Sequence, residues 1–208
     1  MLFRSVLHLG KLMLSRMRNP DLLAAMLVAL IAIAVRTIIT TGAPILFEGD
    51  ARGYFVHAVR IAQGDGLNFT LKRTPGYSLM EAGVFALTGP NLEAVALVQH
   101  GLGVVTALLT FFAARAMHDW RAGLVAGLFT AVSGSQLVYE RVMLTETLFG
   151  TLLLVSVLGS VLALRNRTIP PIALAGLATG MLGLVRPVGL IVIAIVPLLC
   201  LLQLGWKR

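Results

Sequence analysis

The sequence predicts an all-α protein: a polytopic transmembrane helical bundle of about six spans, with amphipathic interfacial helices in its first outer loop. Three observations predict it. Of the 208 residues, 58% are hydrophobic and 12% charged, roughly half the charged share of a soluble domain. The mean hydropathy is +0.91. The charges sit in short clusters between long apolar runs, which is the membrane pattern. These features exclude a soluble globular enzyme and a disordered chain. They also exclude a basic-faced nucleic-acid binder, despite a formal charge of +8. Cys200 is the single cysteine, so the chain can form no internal disulfide or cysteine metal site.

Residues 1–19 carry Arg4, Lys11, Arg16 and Arg18 among Leu2, Phe3, Val6, Leu9, Met13 and Met17. That spacing predicts a basic amphipathic segment on an anionic membrane face, followed by a membrane module over 20–208. A cleaved signal ending near Thr41-Gly42-Ala43 is the rival reading. The long basic region favours an uncleaved anchor.

A span needs about 20 apolar residues. The stretches that qualify are Leu22–Thr41, Ala94–Met117, Ala122–Tyr139, Thr147–Leu164, Ile172–Val185 and Val188–Leu204, the fifth being short. With the N-terminus cytoplasmic, ten of the 17 cations fall in inside segments and six outside, with Arg36 inside a span. Seven of the nine acids fall outside. This is the positive-inside bias of a multi-pass plasma-membrane protein.

The first outer loop, 42–93, is long and mixed. Tyr54, Phe55, Ala58, Val59 and Ala62 predict an amphipathic helix over 50–63, broken by Gly64-Asp65-Gly66. Residues 77–88 are apolar but too short to span, and read as a helix at the interface. Gly123-x3-Gly127 and Gly176-x3-Gly180 predict close helix packing. No internal repeat supports a transporter of inverted repeats.

Ionisable groups beside a bilayer are functional candidates. In this topology three clusters share the outer level: Glu48-Gly49-Asp50, Lys72-Arg73, and Glu140-Arg141 with Thr145-Glu146 of the second outer loop, 140–146. Arg186 joins them. Deprotonating a hydroxyl needs a positioned carboxylate, and a phosphate leaving group needs guanidinium donors. Plainer readings stand beside each. Glu48 and Asp65 read as solvated loop charges, Glu140 and Arg141 as a mutual pair, and Arg52 and Arg60 as contacts to lipid head groups. A permease would need a polar path, yet the one charge well inside a span is Arg36, which snorkelling explains. His8, His57, His100 and His118 are scattered and indicate no histidine metal site.

Gly49-Asp50-Ala51-Arg52-Gly53-Tyr54 resembles the first outer loop of the GT-C glycosyltransferases. Arg73-Thr74-Pro75-Gly76-Tyr77 is similar to their Arg/Lys-Pro-Pro-Gly-Tyr motif. Thr145-Glu146-Thr147-Leu148-Phe149, with Arg141 before it, resembles their second outer loop. Gly176–Gly180 through Arg186-Pro187 resembles the helix ending in Arg/Lys-Pro. The nearest branch is the bacterial one that resembles aminoarabinose transferase and protein O-mannosyltransferases. The resemblance implies sugar transfer from a polyprenyl-phosphate donor to an extracytoplasmic acceptor, with inversion, at a bacterial inner membrane. It implies Asp50 as general base and Arg73 and Arg186 as donor-phosphate contacts. Glu146 would shape the site or help hold a divalent metal ion, and Tyr54 and Tyr77 would line the sugar or lipid path. No other cofactor is implied. Thr74 replaces the first proline of the pair, which is expected to relax the backbone there. Relatives continue with further spans, so a C-terminal partner subunit or a missing half is expected. A non-catalytic lipid-phosphate-binding or assembly subunit, or an inactive fragment of such an enzyme, is the alternative.

Overall fold

A computed structural model of the chain describes residues 19–47, 49–66, 73–166 and 168–195. The basic segment 1–18, Glu48, Lys72 and most of the expected last span lie outside the described residues. Those described are helical, with no strand among them.

Three helices are long and apolar enough to cross a membrane: α1 (Asn19–Gly42), α4 (Leu92–Met117) and α7 (Glu146–Asn166). The first outer loop carries two shorter helices, α2 (Ala51–Gln63) and α3 (Pro75–Thr88), where the residue patterns place them. The expected span Ala122–Tyr139 is not continuous. It forms α5 (Trp120–Ala131) and α6 (Gly134–Arg141), bent by 47°. The break falls at Val132-Ser133, just before Gly134, a glycine and serine site of the kind where helices kink. Counting this pair as one gives four spans. The expected fifth, α8 (Ile169–Val185), has only 17 residues. A further helical stretch begins at 189 and is described to 195.

Local chemistry sets the ends. The Asn91 side chain accepts from the Ala94 amide at 3.2 Å and begins α4. Asp119 caps α5 through the Ala122 amide at 2.9 Å. Both satisfy amides that lack a partner within the helix. Proline opens α3 and α8, where its missing N–H costs nothing. Gly64, with φ +87°, closes α2 in a left-handed conformation that glycine adopts without penalty.

Lipid supplies little hydrophobic drive between helices, so small residues and close contacts must hold them. Ala24, Ala25, Val28 and Ala32 of α1 pack on Ala107 and Phe111 of α4 and on Ala131 of α5. A Cβ on Gly123 would meet the Phe111 carbonyl oxygen at 2.8 Å, and one on Gly127 would meet Val28 at 2.9 Å. The first glycine pair therefore packs as its spacing predicts. The second does not, because nothing lies within 4 Å of a Cβ at Gly176 or Gly180. It is Gly159 of α7 that meets α8, at Ala175, 3.0 Å away. The α2–α3 hairpin seats on α4 through Ala51, Ala58, Ala82, Phe85, Val95 and Ala96.

Arg36 does not snorkel. It is buried and donates to Glu140 Oε1 at 2.6 Å. Its other terminal nitrogen donates to the Ala32 and Ala131 carbonyls at 3.0 and 3.2 Å. Ala131 ends α5 at the break, so Arg36 satisfies a carbonyl that the bend exposes. Glu140 Oε2 lies 2.8 Å from His100 Nδ1 on α4. A Cβ on Gly103 would collide with Glu140 and Arg36. The predicted Glu140–Arg141 pairing is therefore corrected. Arg141 instead donates to Glu93 at 3.2 Å and to the Ala43 carbonyl. Adjacent residues on a helix point 100° apart, so each found a different partner. At the opposite end, Arg115 grips Asp21 through two bonds of 2.8 Å, and Arg165 donates to the Ala116 carbonyl.

Removing one partner of a buried ion pair strands the other, at a cost of about 3–5 kcal/mol. Glu140→Ala is expected to lower the unfolding midpoint of the protein in nanodiscs. The double variant Arg36→Met, Glu140→Leu is expected to recover much of that loss in the same thermal scan.

Candidate functional site

The site begins with backbone. Leu46 forms an isolated parallel bridge with Val142; its amide donates to the Arg141 carbonyl at 2.9 Å. This ties the segment entering α2 to the segment leading into α7. Gly49, with φ +58°, turns the chain, and Asp50 stands at the N-cap of α2. The Asp50 carboxylate makes no capping bond. It accepts instead from Arg73 Nη2 at 2.7 Å, and its side chain is 68% exposed.

The motif Arg73-Thr74-Pro75-Gly76-Tyr77 has a physical reason at each position. Arg73 lies across α2, where a Cβ on Gly53 would collide with its guanidinium. It also lies over the Tyr54 ring, 5.6 Å from the centroid. Thr74 does not relax the backbone. It keeps φ −72° and ψ 146°, the extended form that the following proline demands. Its hydroxyl donates to the Val185 carbonyl at 2.6 Å, occupying an acceptor at the end of α8. Gly76 lets α3 approach that end, since a Cβ there would meet the Leu184 carbonyl oxygen at 2.7 Å.

Glu146 and Arg186 stand together at the open end of the α7–α8 hairpin, with Arg186 Nη1 donating to Glu146 Oε1 at 2.9 Å. The Arg186 guanidinium lies over Phe149 at 5.9 Å. The Glu146 Oε2 atom is buried without a hydrogen-bond partner. Both pairs converge on Tyr54. Its phenol is raised from the ordinary value first by burial, then by Asp50. Arg73 and Arg186 oppose the rise, and Glu146 adds to it. Two carboxylates and two guanidiniums thus act on one phenol at one end of the bundle.

Tyr77 lies behind, fully buried, with its ring edge-on to Tyr54 at 5.3 Å. Its hydroxyl donates to Gln99 at 3.4 Å. The Gln99 amide donates in turn to the Glu140 and Val142 carbonyls at 3.2 and 3.1 Å. Gln99 therefore couples α3 to the strand-like segment ahead of Glu146, a role no sequence signal marked. Arg52, Arg60 and Asp65 are exposed and outside the cluster.

Sequence reasoning also missed Glu81. It is fully buried, and neither carboxyl oxygen has a hydrogen-bond partner. Burial pushes its carboxyl from 4.5 up to about 8. A lone glutamate in an otherwise apolar helical pattern was the available signal.

The residues do not fit a divalent metal ion. Asp50 and Glu146 each face an arginine, and no group of three metal-ligating side chains occurs among the described residues.

An apolar helical bundle with two arginine–carboxylate pairs at one end defines an integral-membrane protein whose candidate site is a cluster of paired charges. A family profile described as dolichyl-phosphate-mannose-protein mannosyltransferase matches residues 72–208. The chain belongs to this family of membrane glycosyltransferases. Arg73, Glu146 and Arg186 lie within the match, and Asp50 and Tyr54 precede it. Comparison with curated proteins and with solved structures finds no match.

Glu81 holds its proton in the folded chain up to about pH 8, while the unfolded chain releases it near 4.5. The folded state therefore binds more protons between these values, and stability falls as pH rises through that window. Glu81→Gln is expected to flatten this dependence. Unfolding midpoints measured from pH 5 to 8 should slope downward for the wild type and less for the variant.

Proposed function

We propose that the chain is a membrane glycosyltransferase module that moves a sugar from a polyprenyl-phosphate donor to a hydroxyl acceptor on the extracytoplasmic side. The observation that carries this reading is the convergence of the Asp50–Arg73 and Glu146–Arg186 pairs beside Tyr54. In the resting structure each arginine is held by a carboxylate. A donor phosphate competes for Arg73 and Arg186, bringing charge-assisted, bidentate contacts. With Arg73 on phosphate, Asp50 Oδ1 loses its donor and faces the acceptor. Asp50 then takes the acceptor hydroxyl proton, the acceptor oxygen bonds to the anomeric carbon, and the bond from that carbon to the phosphate oxygen breaks. Both electrons of that bond leave with the polyprenyl phosphate, whose charge the arginines balance. Tyr54, half-buried, lines the site, and Tyr77 supports it from beneath.

The bacterial inner membrane and the cytoplasmic N-terminus belong to the same proposal. The charge distribution supports the orientation, and the contacts Arg73–Asp50, Thr74–Val185 and Arg186–Glu146 support reading the four residues as one site. Membrane lipids, and a partner that supplies acceptor contacts, complete the expected surroundings.

One observation favours a second reading. The family match contains the arginines but not Asp50. A subunit that binds lipid phosphate without transferring sugar would need the former alone.

Sugar transfer from labelled polyprenyl-phosphate sugars, assayed in membranes holding this chain, separates the two. A general base contributes about 10²–10⁴-fold, so Asp50→Asn is expected to cut turnover at least a hundredfold and leave donor binding intact. Arg73→Ala is expected to weaken donor binding itself. Full activity in Asp50→Asn removes the base assignment. Donor binding without turnover in the wild type, unchanged by Asp50→Asn, selects the binding subunit.

A further inference from the structure

Gln99 of α4 is fully buried, and both ends of its amide are engaged. Its Nε2 donates to the Glu140 carbonyl at 3.2 Å and to the Val142 carbonyl at 3.1 Å. Its Oε1 accepts from the Tyr77 hydroxyl at 3.4 Å. Two carbonyls need donors and a phenol needs an acceptor, so a side-chain amide serves all three in one orientation only. Glutamate would set a second oxygen against the carbonyls. An apolar side chain would strand three buried polar groups.

The two carbonyls belong to the end of α6. Glu140 lies in its last turn and Val142 is the extended residue that follows it, where carbonyls lack partners inside the helix. The neighbouring His100 meets the Glu140 carboxylate, so α4 grips that residue by backbone and side chain together. Four residues beyond Val142, Glu146 opens α7 and meets Arg186.

On its other side Gln99 reaches the first ion pair. The Tyr77 ring stands edge-on to Tyr54, and the adjacent Ser78 hydroxyl donates to the Tyr54 carbonyl at 3.1 Å. Tyr54 lies in the first turn of α2, just after Asp50 at its N-cap, and carries the Arg73 guanidinium over its ring. Among the described residues, none of the Gln99 hydrogen bonds goes to Asp50, Arg73, Glu146 or Arg186. Its contacts lead to one pair through α3 and to the other through α6.

We infer that Gln99 is a positioning residue for the proposed transfer: it holds the Asp50–Arg73 pair in fixed register with the Glu146–Arg186 pair beside Tyr54. The register follows from the hydrogen bonds; its consequence for rate rests on the glycosyl-transfer reading. A long arginine side chain follows a phosphate through a small displacement. Asp50 has a shorter reach and must keep its aim at the acceptor oxygen. Loss of Gln99 therefore costs turnover rather than donor binding.

The test uses the full chain in nanodiscs, with tyrosine labelled at the ring carbon that bears the hydroxyl. The chain has three tyrosines, and Tyr→Phe variants assign their NMR signals. The Tyr54 phenol feels Asp50, Arg73, Arg186 and Glu146, so its signal reports the register of the two pairs. Gln99→Met is expected to move or split the Tyr54 signal. Tyr77→Phe, which removes only the hydroxyl link to α3, is expected to move it in the same direction. Asp21→Asn breaks the Arg115 ion pair at the opposite end; it is expected to lower stability and leave the Tyr54 signal in place. In the transfer assay, Gln99→Met is expected to lower kcat by up to about a hundredfold, with the KM for the donor held. A Tyr54 signal unchanged in folded Gln99→Met overturns the inference. Should that variant fail to fold, an unchanged signal in Tyr77→Phe overturns it equally. A moved signal with unchanged kcat, in a protein that transfers sugar, also overturns it. A wild type that transfers no sugar defeats the glycosyl-transfer reading instead, and the Tyr54 signal still decides the register.

Discussion

The buried ion pair between Arg36 and Glu140 is the constraint on which the rest of this structure depends. A helix that breaks inside a membrane exposes carbonyls that lipid cannot satisfy. Here the break after Ala131 is answered by a guanidinium from α1, which also neutralises the glutamate near the end of α6. His100 takes the second carboxylate oxygen, and Gly103 leaves room for the contact. The network fixes α1, α4 and the bent α5–α6 pair as one body. It fixes the direction of α6, and α6 leads directly into the segment that delivers Glu146.

From that anchor the candidate site is assembled by short contacts between backbones. Leu46 pairs with Val142, Gln99 spans from Tyr77 to Glu140 and Val142, and Thr74 closes on Val185. Two glycines are required by approach rather than by dihedral angle: Gly53 beneath Arg73 and Gly76 against Leu184. The functional side chains are therefore held by elements far apart in sequence. The proposed acid–base and phosphate roles call for that rigidity.

The resting state has its own logic. Each arginine proposed to meet phosphate is already occupied by a carboxylate. Such pairs balance four charges at one end of the bundle, and under the proposed function they make substrate binding an exchange of partners rather than a bare capture. In the proposed mechanism, partner exchange ties the release of Asp50 to the arrival of the donor.

Composition and spacing alone determined that the chain is an all-helical membrane protein, and they placed α2, α3 and the long spans. Twenty-residue apolar runs and helical periodicity are local properties, and the bilayer leaves them one outcome. The ordered motifs likewise marked Asp50, Arg73, Glu146 and Arg186. Pairing was decided only by the tertiary structure. Nothing local distinguishes Glu140 bound to Arg36 from Glu140 bound to Arg141, or Gly123 in a helix contact from Gly180 facing open space. The bend at Val132-Ser133 was equally hidden, because an apolar run reads as continuous until a charge from another helix satisfies its broken hydrogen bonds. Sequence fixes which groups a segment carries, whereas partners more than 100 residues away, as for Arg36 and Glu140, fix which of them meet.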